Sequence, residues 1–292
     1  MIVVQTRSKI NLFLHLHGLR PDGKHELTTL FQAIDYGDEL SAQACERIEF
    51  SCPDSEAGPE EENLVLRAAR LLASEAGVRE GVRLHLKKRV PVGAGLGGGS
   101  GDAAAALQVC SKLWGLHWSN ARLAELAVQL GADVPFLLHG GAAWAEGIGE
   151  KLRPVAGLDE RTHVLVVTPA EAVATGWAYR AWDEMFPEGL PPDPRIVKFL
   201  TLSNQGSFQH TELKGLLWNS FEPVVFARFP KIGPLGKEME KAGASASLLS
   251  GSGSSVFGLF ASCELPENLE HSWIEQGMRV QWCHPVAVDA VT

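Results

Sequence analysis

The chain has 292 residues, a mass of 31.5 kDa and a formal charge of −9, room for roughly two domains of about 100 to 200 residues each. The acidic surplus excludes the broad basic footprint that nucleic acid requires, and hydrophobic and charged fractions of 45% and 21% exclude a disordered chain. Glycine is in excess: 30 positions, above the usual level of about 7%, so its distribution along the chain becomes the question.

Cysteines 45, 52, 110, 263 and 283 are odd in number and widely spaced with no Cys-x-x-Cys pair, which reads as thiols in a reducing compartment. No apolar run reaches the length of a membrane span, and no apolar stretch follows the basic residues of the N-terminus. A cytoplasmic protein without membrane or nucleic-acid partners is the expectation, and no obligate protein partner is evident.

In chain order, Ile10, Leu12, Leu14 and Leu16 alternate with Asn11, Phe13, His15 and His17, predicting a strand with one buried face. His15 and His17 have metal-like spacing, but without further ligands nearby they read as an ordinary surface pair. A turn at Pro21 to Gly23 follows. The stretch 52–62, rich in acids and proline, predicts a solvated loop. Leu64, Ala68, Leu71 and Leu72 then share one helical face over 63–76 until Gly77 ends it. Val82, Leu84 and Leu86 predict a strand running into Lys87, Lys88 and Arg89.

Next come Pro91, Val92, Gly93, Ala94, Gly95, Leu96, Gly97, Gly98, Gly99, Ser100 and Gly101, which hold six of the glycines, and Asp102 opens an alanine-rich helix to Leu116. A second helix is predicted over 120–130 with Ser119 as its cap, broken by Gly131-Ala-Asp-Val-Pro135. Strands are predicted over 142–152 and 163–168, a helix over 175–185, and a proline-rich break over 187–194. A domain boundary falls near residue 157. Beyond it lies a second glycine knot, Ser250 to Ser255, between two apolar runs.

A glycine loop between a strand and a helix start lets backbone N–H groups approach an anion, and the helix end adds partial positive charge. The bland alternative is a close chain crossing. The loop formally matches Gly-x-Gly-x-x-Gly, but the acid expected about twenty residues on is missing. No Gly-Lys-Ser/Thr closes it as a Walker loop, and His-Arg-Asp and Asp-Phe-Gly motifs are absent.

What remains, Pro-x-Gly-x-Gly-Leu-Gly-Gly-Gly-Ser, resembles the second motif of the GHMP small-molecule kinases. Ser8 to Leu14, Asp22 to Leu27, Leu30 to Gln32, Asp35 to Asp38, Glu62 to Leu64, Gly131 to Pro135 and Leu249 to Gly253 resemble, in order, the branch of that superfamily that acts on a cytidyl-diphosphate-linked methylerythritol. The resemblance implies ATP-dependent phosphorylation of a hydroxyl of that substrate in the non-mevalonate route to isoprenoids, with Mg²⁺ assisting. It implies an α+β fold of two domains. Residues 1–157 would form the nucleotide-holding domain with a left-handed βαβ crossover, and 158–292 a ferredoxin-like domain that closes the substrate cleft.

Roles follow from the same resemblance. Asp133 is the carboxylate that accepts the hydroxyl proton and Lys9 its cationic partner; an isolated Asp at a helix exit would otherwise be a turn or capping residue. Ser100 is the candidate Mg²⁺ ligand. Asn63 and Lys88 border ATP, although Lys88 reads equally well as a strand-end surface charge. Gly251 and Gly253 approach the phosphates, or simply turn a hairpin. Asn11 shares the strand face of Lys9, His25 reads the cytosine edge, and Thr175 and Tyr179 flank it, the Tyr179 ring stacking on the base. This chain departs from the family's usual residues at Lys24, where an aromatic is usual in the cytidyl pocket, at Gly101, where a serine is usual, and at Arg7, where a proline is usual. A GHMP kinase acting on another small alcohol and a non-catalytic ligand-binding relative remain as alternatives.

Overall fold

The computed structural model describes residues 1–53 and 59–287. Much of the predicted acidic loop over 52–62 therefore lies outside the described residues; its end, Glu60–Glu62, is a short 3-10 turn. The described residues form two compact units that interleave along the sequence. One holds 1–9, 35–92 and 97–140; the other holds 10–34, 93–96 and the chain from Gly141 onward.

The first unit is built on a four-stranded sheet of β1 (Ile2–Gln5), β4 (Glu39–Cys45), β6 (Gly81–Lys87) and β5 (Glu49–Ser51), in that spatial order. Alternate residues of β6 are buried, as period two requires. Helix α1 (Leu64–Ala76) links the parallel pair β5 and β6 and ends at Gly77 in the left-handed conformation, φ 65°. It packs on α2 (Gly98–Leu113). Helix α3 (Asn120–Ala127) is capped by Ser119, which accepts from the Arg122 N–H. The helix stops three residues earlier than predicted because Leu130 donates to Ala127 O, a tighter turn that winds it down. α4 (Val134–His139) follows, with proline in its first turn.

The second unit contains two sheets. In the first, β10 (Trp218–Asn219), β2 (Ser8–Leu19), β3 (His25–Ile34), β7 (Ala142–Glu146) and β8 (Lys151–Val155) lie side by side; Ser8 and Lys9 at the start of β2 count with the first unit. The predicted one-sided strand is corrected: every residue from Ser8 to Leu16 is buried. Leu14 and Leu16 enter a core with Leu165, Trp182 and Phe221, while Phe13 stacks on Trp144 and packs against Phe199. With both faces covered, the alternating polar residues make hydrogen bonds instead of facing water. His15 and His17 are accordingly no surface pair. His15 is buried with Nε2 at 3.0 Å from Pro191 O, and His17 Nε2 is 2.8 Å from Thr28 Oγ1. Burial first, and the adjacent His17 second, push His15 below its ordinary pKa.

The second sheet has the order β11 (Ala246–Leu249), β12 (Val256–Phe260), β9 (His163–Thr168), β13 (Arg279–Cys283), all antiparallel. Helix α5 (Thr175–Met185) and others lie between β9 and β11, and a further helix, Glu267–Glu275, precedes β13. This is the strand order of a ferredoxin-like βαββαβ unit. Among the described residues no disulfide joins the cysteines, and no helix is long and apolar enough to cross a membrane.

Candidate active site

Lys9 and Asp133 come together within the first unit. Lys9 Nζ lies 3.9 Å from Asp133 Oδ2, with the lysine side chain 5% exposed and the carboxylate 30% exposed. Burial pulls the Lys9 pKa below its ordinary value and the facing Asp133 pulls it back up. Asp133 stands at the N-cap position of α4 yet makes no side-chain cap bond. Its carboxylate is therefore not held by the capping duty that such a position usually assigns, and it keeps a solvent-facing edge.

The glycine loop approaches this pair. Gly97, with φ 69°, passes so close that an added Cβ would stand 3.2 Å from Lys9 Cγ and 3.5 Å from Asp133 Oδ2. Gly97 is also the N-cap of α2, which begins at Gly98 rather than at the predicted Asp102. Glycine is a poor helix former, but here close packing overrides propensity: a Cβ on Gly98 would meet Val90 at 2.8 Å, and one on Gly101 would meet Arg7 O at 1.8 Å. The first helical bond runs from the Gly101 N–H to Gly97 O. That leaves the N–H groups of Gly98, Gly99 and Ser100 without an intrahelical acceptor at the positive end of a 16-residue helix. The Gly101 N–H, expected among the phosphate donors, is taken up by the helix.

Lys88 and Asn63 both have partners within the first unit. Lys88 is buried, with Nζ 2.9 Å from Asp102 and in shorter contact with Asp38. Asp38 also accepts the Val90 N–H at 2.8 Å, and Thr6 Oγ1 donates to Asp102 at 2.9 Å. Its ammonium thus faces two carboxylates beneath the start of α2, as a structural link and not a surface charge. Asn63 caps α1, its Oδ1 accepting from the Val65 N–H at 3.0 Å.

The first half of the loop, 93–96, belongs to the second unit and seats on the knot between β11 and β12. Ser250 Oγ donates to Gly95 O at 3.0 Å, Ser255 N–H donates to Ala94 O, and a Cβ on Gly95 would meet Ser250 O at 2.1 Å. Pro91 and Val92 precede this contact, and Ala94 and Leu96 are buried. The knot glycines give their N–H groups internally: Gly251 to Asn11 Oδ1 at 2.9 Å, Gly253 to Ser250 O. Asn11 is buried and its Nδ2 donates to Thr29 Oγ1 at 2.8 Å, so it ties β3 to the knot. Thr175 Oγ1 lies 3.0 Å from Ser252 Oγ, tying α5 to the same knot.

His25 and Tyr179 stack at 4.5 Å, and His25 Nε2 is 2.6 Å from Asp183 Oδ1. They line an open cavity of about 400 Å³ together with Lys24, Arg180, Asp183 and Ile148. Position 24 thus faces the cavity, and the Tyr179 ring stacks on His25 and meets Phe221 edge-on at 4.9 Å.

Comparison with known proteins decides the family. The GHMP kinases N terminal domain matches residues 63–141 and the GHMP kinases C terminal domain matches 207–278. A 4-diphosphocytidyl-2-C-methyl-D-erythritol kinase of Chlorobium phaeobacteroides is 39% identical over 97% of this chain and 94% of its own length. The enzyme of that name from Chlorobium phaeovibrioides is 44% identical over 89% and 87%. The chain belongs to this kinase family. A crystal structure of a 4-(cytidine 5'-diphospho)-2C-methyl-D-erythritol kinase, 34% identical, superposes with a TM-score of 0.75 over 97% of this chain and 99% of that one. A homoserine kinase from Cytophaga hutchinsonii, 19% identical with a TM-score of 0.71 over 96% of each chain, shares the fold alone.

Within this kinase family frame, three residues escaped the sequence reading. Asp183 holds the ring of His25; it sits four positions after Tyr179 on α5, a spacing that places both on one helix face. Arg180 adds a second cation to the cavity that Lys24 lines. Asp102 appeared only as a helix opener, yet an acid directly behind a glycine loop and a lysine at the preceding strand end were the available signal for the buried link.

Proposed function

We infer that this chain transfers a phosphoryl group from ATP to a hydroxyl of 4-diphosphocytidyl-2-C-methyl-D-erythritol, giving the 2-phosphate and ADP in the non-mevalonate route to isoprenoid precursors. The observation that carries this reading is the 39% identity extending over 97% of the chain to an enzyme of that name.

Phosphoryl transfer needs positioning, charge neutralisation and a proton acceptor rather than covalent help from the protein. The N–H groups of Gly98, Gly99 and Ser100 supply donors for phosphate oxygens where glycine leaves the backbone uncovered. Asp133 takes the proton of the attacking hydroxyl; a carboxylate is a weak base toward an alcohol, so it does so late, once the oxygen has begun to bond to phosphorus. Lys9 faces that carboxylate and places a positive charge beside the group in transit. The half-buried Ser100 hydroxyl is a hard oxygen donor that suits Mg²⁺, with phosphate oxygens and water completing its shell. Bound there, Mg²⁺ would neutralise charge on the phosphate oxygens.

His25, oriented by Asp183, reads the cytosine edge, and Lys24 and Arg180 bring two cations to a cavity meant for an anionic diphosphate. Residues 1–157 carry the ATP loop and the reacting pair, and 158–292 contribute Thr175, Tyr179 and the knot. The cytoplasm is the compartment this reading assigns.

An ADP-release assay comparing the cytidyl substrate with mevalonate, homoserine and sugars tests the reading. Turnover of the cytidyl substrate is expected. Turnover confined to one of the others would overturn it in favour of a GHMP kinase for a different small alcohol.

A further inference from the structure

Three chain-distant residues meet at one end of the second unit's antiparallel sheet. His163 opens β9, the strand flanked by β12 and β13. The β13 register runs from Arg279 opposite Thr168 to Cys283 opposite Val164, so the next rung sets His284 opposite His163. On the other flank Phe260 ends β12 opposite His163, and the turn after it carries Cys263. Sheet register thus brings together side chains 100 and 121 positions apart in sequence. Trp282 packs edge-on against His163 and Phe260, which fixes the central ring.

Cys263 Sγ lies 2.7 Å from His163 Nδ1, and His284 Nε2 lies 3.0 Å from the same Nδ1. All three ligand atoms fall within 4.8 Å of one another. A neutral imidazole nitrogen offers either one N–H or one lone pair, so Nδ1 of His163 makes one good hydrogen bond and not two. A cation removes that conflict, because a thiolate and two neutral imidazoles can all direct lone pairs at one point.

We propose that His163, Cys263 and His284 bind a single Zn²⁺ ion, with water in the fourth position. Two imidazoles and a thiolate select a borderline-soft ion and disfavour the hard Mg²⁺ used with phosphates. Bonds of about 2.3 Å to sulfur and about 2.0–2.1 Å to nitrogen place tetrahedral donors roughly 3.3–3.6 Å apart. The two short distances open and the longest, within 4.8 Å, closes to that spacing by side-chain movements of roughly 1 Å, and Cys263 sits on an exposed turn that permits it. The ion ties the ends of three neighbouring strands together.

The test uses the full-length protein and Zn²⁺ alone: incubation, removal of unbound metal and measurement of bound zinc. One zinc per chain is expected in the wild type, and loss of it in Cys263→Ser and in His284→Gln. Zn²⁺ should raise the thermal midpoint of the wild type and leave both variants unmoved. Co²⁺ should give a thiolate charge-transfer band that Cys263→Ser lacks. Circular dichroism and unchanged kinase turnover establish that the variants are folded. No zinc retained by the folded wild type, or a full equivalent retained by both variants, overturns the proposal.

Discussion

Gly101 packs against the carbonyl of Arg7 so tightly that a Cβ would stand 1.8 Å from its oxygen. These are two of the positions at which the sequence departs from the motif pattern it resembles, and the structure places them in contact. Glycine at 101 and the backbone path at residue 7 therefore belong to one local solution. Restoring the usual residue alone, Gly101→Ser, should destabilise this chain by about 1–3 kcal/mol through overpacking, seen as a drop of several degrees in the thermal midpoint. An unchanged midpoint would show that the two segments adjust independently.

Much of this architecture was legible because local signals and tertiary contacts agree. The α1 face ending at Gly77, the Ser119 cap and the 175–185 helix all lie where the pattern predicts. Pattern failed where packing overrode it. Strand β2 carries an alternating code yet is buried on both faces, since Asn11 bonds Thr29 and the Gly251 N–H, and His15 bonds Pro191 O through Nε2, inside the protein. Helix α2 starts among glycines that propensity rejects, because the close approaches of Gly98 and Gly101 leave no room for side chains. Spacing alone could not give the partners of Lys88, whose two carboxylates come from positions 38 and 102.

Lys9 is nearly fully buried, and removing a desolvated ammonium relieves a cost of burial. Lys9→Met should lower turnover by about 10²–10³-fold, the usual penalty for deleting a charge-stabilising group, without lowering the thermal midpoint at neutral pH. The sign of the pH effect follows from the lowered lysine pKa. The unfolded chain binds the proton more readily, so wild-type stability recovers as pH rises from the folded pKa toward about 10.5. That recovery should be missing in the variant. A variant that unfolds much earlier than the wild type at neutral pH would count against this account.

Asp133→Asn keeps the shape of the site but removes the carboxylate proposed to accept the proton. ATP binding should persist within about twofold while turnover falls by roughly 10²–10⁴-fold, measured by nucleotide titration beside single-turnover kinetics. Near-normal turnover would assign the proton to another group.

In the buried link of Lys88 with Asp38 and Asp102, two carboxylates share one ammonium. Burial, with Asp38 adding to it and Lys88 opposing, pushes Asp102 up to about 7. An acid with a raised folded pKa keeps its proton when the unfolded chain has lost it. Stability from this group is therefore lost as pH climbs from about 4 to about 7. Asp102→Asn removes the surplus negative charge and leaves Lys88 paired with Asp38. Relative to the wild type, the variant should gain at least about 1 kcal/mol between pH 4 and pH 8, read from denaturant unfolding at each pH. A difference that does not change with pH would mean that Asp102 is ionised throughout.

Lys24 lines the cavity that His25, Tyr179 and Arg180 share, at the position where the resemblance leads one to expect an aromatic. Lys24→Tyr should restore a second ring for the base. An aromatic contact contributes about 1 kcal/mol beyond its buried area, which corresponds to roughly fivefold tighter binding of the cytidyl substrate. The exchange also removes a cation that faces the diphosphate, so isothermal titration with cytidine alone isolates the ring: the nucleoside has no phosphate contact to lose. Cytidine should therefore tighten at least as much as the full substrate. An unchanged dissociation constant for both ligands would place the base away from residue 24 and remove the cavity from the substrate site.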